Sequence, residues 1–202
     1  MKKLIKFVFY LLFFPFKKII PKSNIILFGT YSRHIYRENT RYLFEYMSKK
    51  NSYQCYWITD NNLIKQYLKK KKFKFISTSS PFHMIWVLLR TRIIIDSGTG
   101  YFNPFKILDN GKTIKITTLH GNGPKANFSP NGKKTQDAIK QIKRHLEFDY
   151  VNYPSDYSIE TVGKKSHQLP SDKLVNLGYP RCDQYFNKDY VESRYKNRSF
   201  IK

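Results

Sequence analysis

His120-Gly121-Asn122-Gly123-Pro124-Lys125 places an imidazole, two glycines and a lysine in one short stretch. An imidazole with an ordinary pKa of about 6.5 accepts a proton from an attacking hydroxyl at neutral pH, which a phosphoryl or glycosyl transfer requires. Gly121 and Gly123 let the backbone approach a ligand closely, and exposed amide groups together with Lys125 suit a phosphate. The plain alternative is a turn carrying a solvated histidine. Two other segments carry charged and polar groups at turn-like positions. In Tyr36-Arg37-Glu38-Asn39-Thr40-Arg41-Tyr42-Leu43, Asn39 or Thr40 reads as a helix N-cap beside a solvated Arg37/Arg41 pair. In Leu177-Gly178-Tyr179-Pro180-Arg181-Cys182-Asp183, a strand-to-helix turn lets Arg181 and Asp183 pair locally. Cys55 and Cys182 are far apart, with no Cys-x-x-Cys or Cys/His cluster, so neither a zinc site nor a disulfide framework is indicated; no other metal and no cofactor are expected. His34, His83, His145 and His167 lack metal or triad spacing and read as ordinary surface or helix histidines.

The elements that must position these groups follow from apolar periodicity. Strands are predicted at 24–29, 54–59, 73–76, 92–96 and 114–119, with weaker ones at 150–153 and 174–177. Helical spacing occupies 40–49, 61–70, 81–89, 135–145 and 156–165, the last opening on Ser155 or Asp156 as a cap. Such alternation with short connections implies an α/β doubly wound fold, a parallel sheet with helices on both faces. Ligands of such sheets bind at the carboxyl ends of the strands, and His120 directly follows one. The run Lys69 to Lys72 reads as a solvated helix end, its charges favourable near a helix C-terminus.

The 202 residues carry 37 Lys and Arg against 14 Asp and Glu, a formal charge of +23 that points to an anionic partner or to compositional bias. With 17% aromatic residues the chain as a whole is not of the disordered class. Residues 1–22 stand apart. The apolar run from Leu4 to Phe16 is interrupted by Lys6 and Pro15, too short to span a bilayer that takes about 20 apolar residues. No small-residue cleavage site follows it. An uncleaved interfacial anchor is therefore expected, with Phe7, Phe9, Leu12, Phe13 and Phe14 inserting while Lys2, Lys3, Lys6, Lys17 and Lys18 face anionic lipid. The alternative is a helix packed on the protein's own core.

Taken in order, three motifs resemble the CDP-glycerol glycerophosphotransferases of teichoic acid and capsule-type polymer synthesis. They are Glu38-Asn39-Thr40-Arg41-Tyr42-Leu43, the loop of His120, Gly121 and Lys125, and the turn of Gly178, Tyr179, Pro180, Arg181 and Asp183. The strand Tyr56-Trp57-Ile58-Thr59 is similar as well, and the resemblance spans about residues 23–190. Leu119 precedes His120 where the family commonly has Trp, and Pro124 comes one position later than the family's proline. The resemblance implies a GT-B architecture on the cytoplasmic face of the plasma membrane, with 23–190 as its Rossmann-like amino-terminal half. It assigns His120 a catalytic role and places Asn39, Gly121, Gly123, Lys125, Arg181 and Asp183 at the substrate and phosphate site. It further implies transfer of glycerol phosphate from CDP-glycerol to a polyol-phosphate or lipid-linked glycan acceptor, with release of CMP. The donor site is expected in a second half that residues 191–202 only begin, supplied by more chain or by a second polypeptide.

Two other classes remain open on the sequence. One is a non-catalytic acceptor-binding or membrane-docking module. The other, nucleic-acid binding, rests on charge alone, because no zinc-finger, helix-turn-helix or RNA-recognition signature is present, and nucleic acid is not expected as a partner.

Overall fold

The computed structural model describes residues 15–50, 52–98, 111–121 and 136–186. Within them the β-branched and aromatic runs form seven strands: β1 (Ile25–Gly29), β2 (Gln54–Ile58), β3 (Lys74–Ile76), β4 (Thr91–Asp96), β5 (Ile114–Thr117), β6 (Tyr150–Tyr153) and β7 (Leu174–Asn176). They make one sheet in the order β3-β2-β1-β4-β5-β6-β7. Every neighbouring pair is parallel. Parallel neighbours need crossovers, and the helices that supply them are α2 (Glu38–Ser48), α3 (Asn62–Lys70), α4 (Pro81–Arg90) and α5 (Gln136–His145). A single turn, α1 (Phe16–Ile19), precedes β1, and a short α6 (Asp156–Ser158) continues as π-helix over Ile159–Ser166.

Because side chains alternate along a strand, β1 feeds both faces of the sheet. Ile25 and Leu27 pack with Met84, Ile85, Leu88 and Leu89 of α4, and Ile20 joins them. Ile26 and Phe28 pack with Phe44 of α2, Leu68 of α3 and Trp57 of β2. This burial on both faces explains why β1 reads as an unbroken apolar run. A third cluster, Leu119, Phe148, Val151, Tyr153 and Leu169, fills the space under the π-helix. Gly163 packs tightly there: a Cβ would sit 3.2 Å from Leu174 and 3.3 Å from Tyr153, so those side chains would have to give by a few tenths of an ångström.

Caps set several boundaries. Asn61 Oδ1 accepts from the Leu63 and Ile64 amides to start α3, and Ser155 Oγ accepts from the Ser158 amide to start α6. α3 ends on Lys69 and Lys70, as the solvated-end reading required. At α2 the sequence expectation fails. Arg37 holds the cap position without a side-chain cap bond, Glu38 adopts φ +70°, and Asn39 and Thr40 lie buried inside the helix. Arg41 is likewise not one of a solvated pair; its Nε donates to Glu45 Oε1 at 2.9 Å and its guanidinium lies over the Tyr36 ring.

From β1 the chain winds outward through β2 and β3, then crosses back to β4 on the other side of β1. The carboxyl ends of β1 and β4 therefore flank the point where the strand order reverses, the position of the ligand crevice in open α/β sheets. Residues Lys2, Lys3, Lys6, Phe7, Phe9, Leu12, Phe13, Phe14, Gly123 and Lys125, and the tail 191–202, lie outside the described residues. No helix among the described residues is long and apolar enough to cross a membrane.

Candidate functional site

His120 stands at this crevice, exposed, three residues beyond the end of β5. The strand ends in Thr117, whose hydroxyl accepts from the Leu119 amide at 3.3 Å, while Leu119 turns through φ +52°. That turn lifts the imidazole toward the neighbouring strand end. Its Nδ1 lies 3.3 Å from the Ser97 carbonyl oxygen, just past β4. A carbonyl only accepts, so Nδ1 carries the proton and Nε2 keeps its lone pair for an incoming hydroxyl proton.

The loops after β1 and β4 close on each other beside it. Gly98 follows β4, and a Cβ there would lie 2.5 Å from the Tyr31 Cβ, so only glycine lets Tyr31 seat against this turn. The Gly98 amide donates to Asp96 Oδ1 at 3.0 Å, fixing the turn. Tyr31 then presents its ring 5.9 Å from the His120 ring. The Tyr31 hydroxyl also accepts a hydrogen bond from Arg37.

Asn39 and Arg181 bring the two remaining motifs to the same place. Asn39 is fully buried, its Nδ2 donating to the carbonyl oxygens of Leu119 at 2.9 Å and Thr118 at 3.3 Å. Its Oδ1 accepts from the Arg181 amide at 3.4 Å. Arg181 Nη1 donates to the His120 carbonyl oxygen at 2.9 Å and lies 3.4 Å from Glu38 Oε2. A Cβ at Gly121 would meet the Arg181 Nη2 at 3.8 Å, an ordinary contact. Glu38 also faces Arg37 Nε at 3.1 Å. Two guanidinium groups thus converge on the Glu38 carboxylate beside His120.

The structure thus joins Asn39, His120, Gly121 and Arg181. Asp183 is exposed, and among the described residues no ion pair joins it to Arg181, whose partner is Glu38 instead. The local pairing fails because the turn after Gly178, at φ +71°, aims the arginine back across α2. Asn152 of β6 holds that turn, donating to the Gly178 carbonyl at 2.7 Å and accepting from the Leu177 amide at 2.9 Å. Tyr31, Ser97, Gly98 and Asn152 were not singled out in the sequence. Ser97-Gly98 sat directly after a predicted strand and was findable by position, whereas Asn152 within β6 gave no signal.

The histidines divide. His34 and His83 are exposed, as expected. His145 and His167 are buried, which corrects the sequence reading: their rings stack 4.7 Å apart, and the Tyr153 hydroxyl lies 2.8 Å from His167 Nδ1. The cause is α5, whose last residue turns inward against the π-helix. Burial, with His167 and His120 adding like charge, pushes His145 down to about 3. Burial also lowers His167. Among the described residues no group of three or more His, Cys, Asp or Glu is placed to hold a metal ion.

Residues 12–200 match the family model described as CDP-Glycerol:Poly(glycerophosphate) glycerophosphotransferase. The chain belongs to this family. Among curated relatives of these glycerophosphotransferases, the teichoic acid glycerol-phosphate transferase of Staphylococcus aureus is 26% identical over 197 residues, covering 93% of this chain and 48% of that protein. The teichoic acid glycerol-phosphate primase of Bacillus subtilis is 24% identical over 123 residues, covering 56% of this chain and 32% of that protein. In fold the chain is similar to the wall teichoic acid polymerase TagF, with TM-score 0.61 and 16% identity over 95% of this chain and 50% of TagF. The chain spans about half the length of the first of these relatives and of TagF. Its Rossmann-like parallel sheet thus has the fold of about half of TagF.

Proposed function

We propose that this glycerophosphotransferase-family chain forms the acceptor-side half of an enzyme that transfers glycerol phosphate from CDP-glycerol to a polyol-phosphate or lipid-linked glycan acceptor. The observation that carries the reading is the convergence of His120, Asn39 and Arg181, from three separate motifs, at the strand-order switch point. His120 Nε2 takes the proton of the acceptor hydroxyl. The hydroxyl oxygen bonds to the glycerol-bearing phosphorus as the anhydride oxygen leaves with CMP. Arg181 fixes the His120 backbone from behind, and Asn39 holds the strand end that precedes it. In this reading Gly123 and Lys125 bind phosphate and Asp183 contributes to the substrate site. The donor is bound by a second Rossmann-like half, from further chain or another polypeptide, because in-line positioning of donor and acceptor accounts for up to about 7–11 kcal/mol of such a barrier.

The protein sits peripherally on the cytoplasmic face of the plasma membrane through residues 1–22. This is supported by the apolar, basic character of that segment and the absence of any carboxylate within it.

The test is incorporation of radiolabelled glycerol phosphate from CDP-glycerol by membranes of the source cells, carrying either the natural chain or His120→Ala. The variant should be slower by about a hundredfold or more, the usual worth of a positioned base, at unchanged protein level. Near-natural incorporation by His120→Ala removes His120 from the mechanism.

A further inference from the structure

The loop between β1 and α2 is pinned along its length. Thr30 Oγ1 donates to the Ser32 carbonyl at 2.7 Å. The Arg33 carbonyl accepts from Thr59 Oγ1 at 2.8 Å and from the Asp60 amide at 3.3 Å, and Asn61 Nδ2 donates to the His34 carbonyl at 3.3 Å. Arg33 itself is held by Asp60 Oδ2 at 3.1 Å, while the other oxygen of Asp60 accepts from Ser77 and Thr78. A loop fixed in this way needs little further ordering when it binds something. Near its two ends it carries Tyr31, seated on Gly98, and Arg37, at the start of α2.

Arg37 is held along one edge of its guanidinium. Its Nη2 donates to the Tyr31 hydroxyl, its Nε faces Glu38 Oε1 at 3.1 Å, and its guanidinium carbon lies 5.7 Å from the Tyr31 ring centroid. Among the described residues nothing takes up Nη1, and the side chain is 61% exposed. The Tyr31 hydroxyl accepts from Arg37 and keeps its own proton to donate. Glu38 does not serve Arg37 alone, because its second oxygen faces Arg181 Nη1 at 3.4 Å. Glu38 reaches this position at φ +70°, and a non-glycine backbone held there persists where its surroundings over-determine it, commonly at ligand sites. Two unused donors, one of them cationic, therefore stand together at the crevice, with the Tyr31 ring 5.9 Å from the His120 ring.

A guanidinium edge beside a phenol proton suits a group with several acceptor oxygens and negative charge, which a phosphate ester has and a neutral polyol lacks. We propose that Arg37 and Tyr31 hold the phosphate of the acceptor's terminal polyol-phosphate unit, so that the chain selects acceptors ending in a phosphate-bearing unit over neutral glycans. The inference rests on the acceptor-side reading of this crevice given above and adds which end group is taken. In a glycerol phosphate end the phosphate and the free hydroxyl belong to one small unit. A phosphate held at Arg37 thus lays that hydroxyl across the Tyr31 ring toward His120 Nε2.

The full chain is titrated with glycerol phosphate and with glycerol by calorimetry, and the His120 imidazole proton resonances are followed by NMR. Glycerol phosphate should bind and move those resonances, and glycerol should do neither. Arg37→Gln should raise the Kd by about tenfold or more and Tyr31→Phe by about threefold, with unchanged circular dichroism. Arg92→Gln removes the same charge at the opposite end of the sheet and should leave the Kd as it is. In membranes of the source cells given soluble acceptors, Arg37→Gln should raise the KM for a glycerol-phosphate-terminated acceptor by about tenfold. The KM for a neutral glycoside acceptor and that for CDP-glycerol should stay within about twofold. An equal loss of binding in Arg92→Gln means that general charge attracts the anion, and overturns the proposal. So does the lack of saturable binding of glycerol phosphate at up to about 20 mM. A raised KM for CDP-glycerol would give Arg37 to the donor and overturn it as well. If Arg37→Gln behaves as the natural chain while His120→Ala loses incorporation, the phosphate assignment is wrong and the acceptor-side reading stands. If His120→Ala also incorporates normally, both are wrong.

Discussion

Acidification loads a proton onto His145 in the unfolded chain long before it does so in the folded one. In the fold His145 is 1% exposed, stacked on His167, and neither of its ring nitrogens has a hydrogen-bond partner among the described residues. Its folded pKa of about 3 lies below the ordinary 6.5. The unfolded state therefore binds more protons throughout that window, and stability falls as the pH drops through it. Going from about pH 8 to about pH 5, the linkage integral for this one group is about 2 kcal/mol, a large share of the 5–15 kcal/mol typical of a domain. His145→Leu removes the titrating group at nearly constant volume. At about pH 8 the variant should be as stable as the natural chain or more so, because two unpaired buried nitrogens are gone. Urea unfolding by far-UV circular dichroism is measured for both chains at several pH values, and their difference is plotted. Taking the difference cancels the carboxylates and the exposed histidines common to both. The gap should move in the variant's favour by about 2 kcal/mol between about pH 8 and about pH 5. A gap that stays constant across this range would refute a buried neutral imidazole at 145.

Asn39→Ala leaves the Thr118 and Leu119 carbonyls without their side-chain donor, so destabilisation of about 1–3 kcal/mol is expected in urea unfolding; less than about 0.5 kcal/mol contradicts the bridging role. In the folded Asn39→Ala chain, incorporation of glycerol phosphate should also fall, because the strand end carrying His120 is released. Gly98→Ala drives a methyl into the Tyr31 Cβ at 2.5 Å and its backbone Cα at 2.8 Å and should destabilise by about 1–3 kcal/mol in urea unfolding. A loss below about 0.5 kcal/mol would mean that this contact does not limit the position.

The sequence alone determined the sheet and its parallel sense. Ile25 to Gly29 is apolar at every position because both faces of β1 are covered, and the recurring helical spacing between such runs leaves only crossover connections. It also located the crevice motif, since His120 follows a strand and residues after strands line ligands in such folds. Local chemistry sufficed for Asn61 and Ser155, which cap helices a few residues away. It misled at Asn39, Arg181 and His145, where equally good local partners lay nearby in the chain. Asn39 could have capped α2, Arg181 could have met Asp183, and His145 could have faced water at the end of an amphipathic helix. Each instead took a partner far along the chain: Leu119 for Asn39, Glu38 for Arg181, His167 for His145. A sequence shows the donors and acceptors within one turn of a residue. It does not show the strand order, and the strand order laid the end of β5 against the start of α2. Once that carbonyl edge was buried, the amide of Asn39 was worth more there than at a solvent-exposed cap.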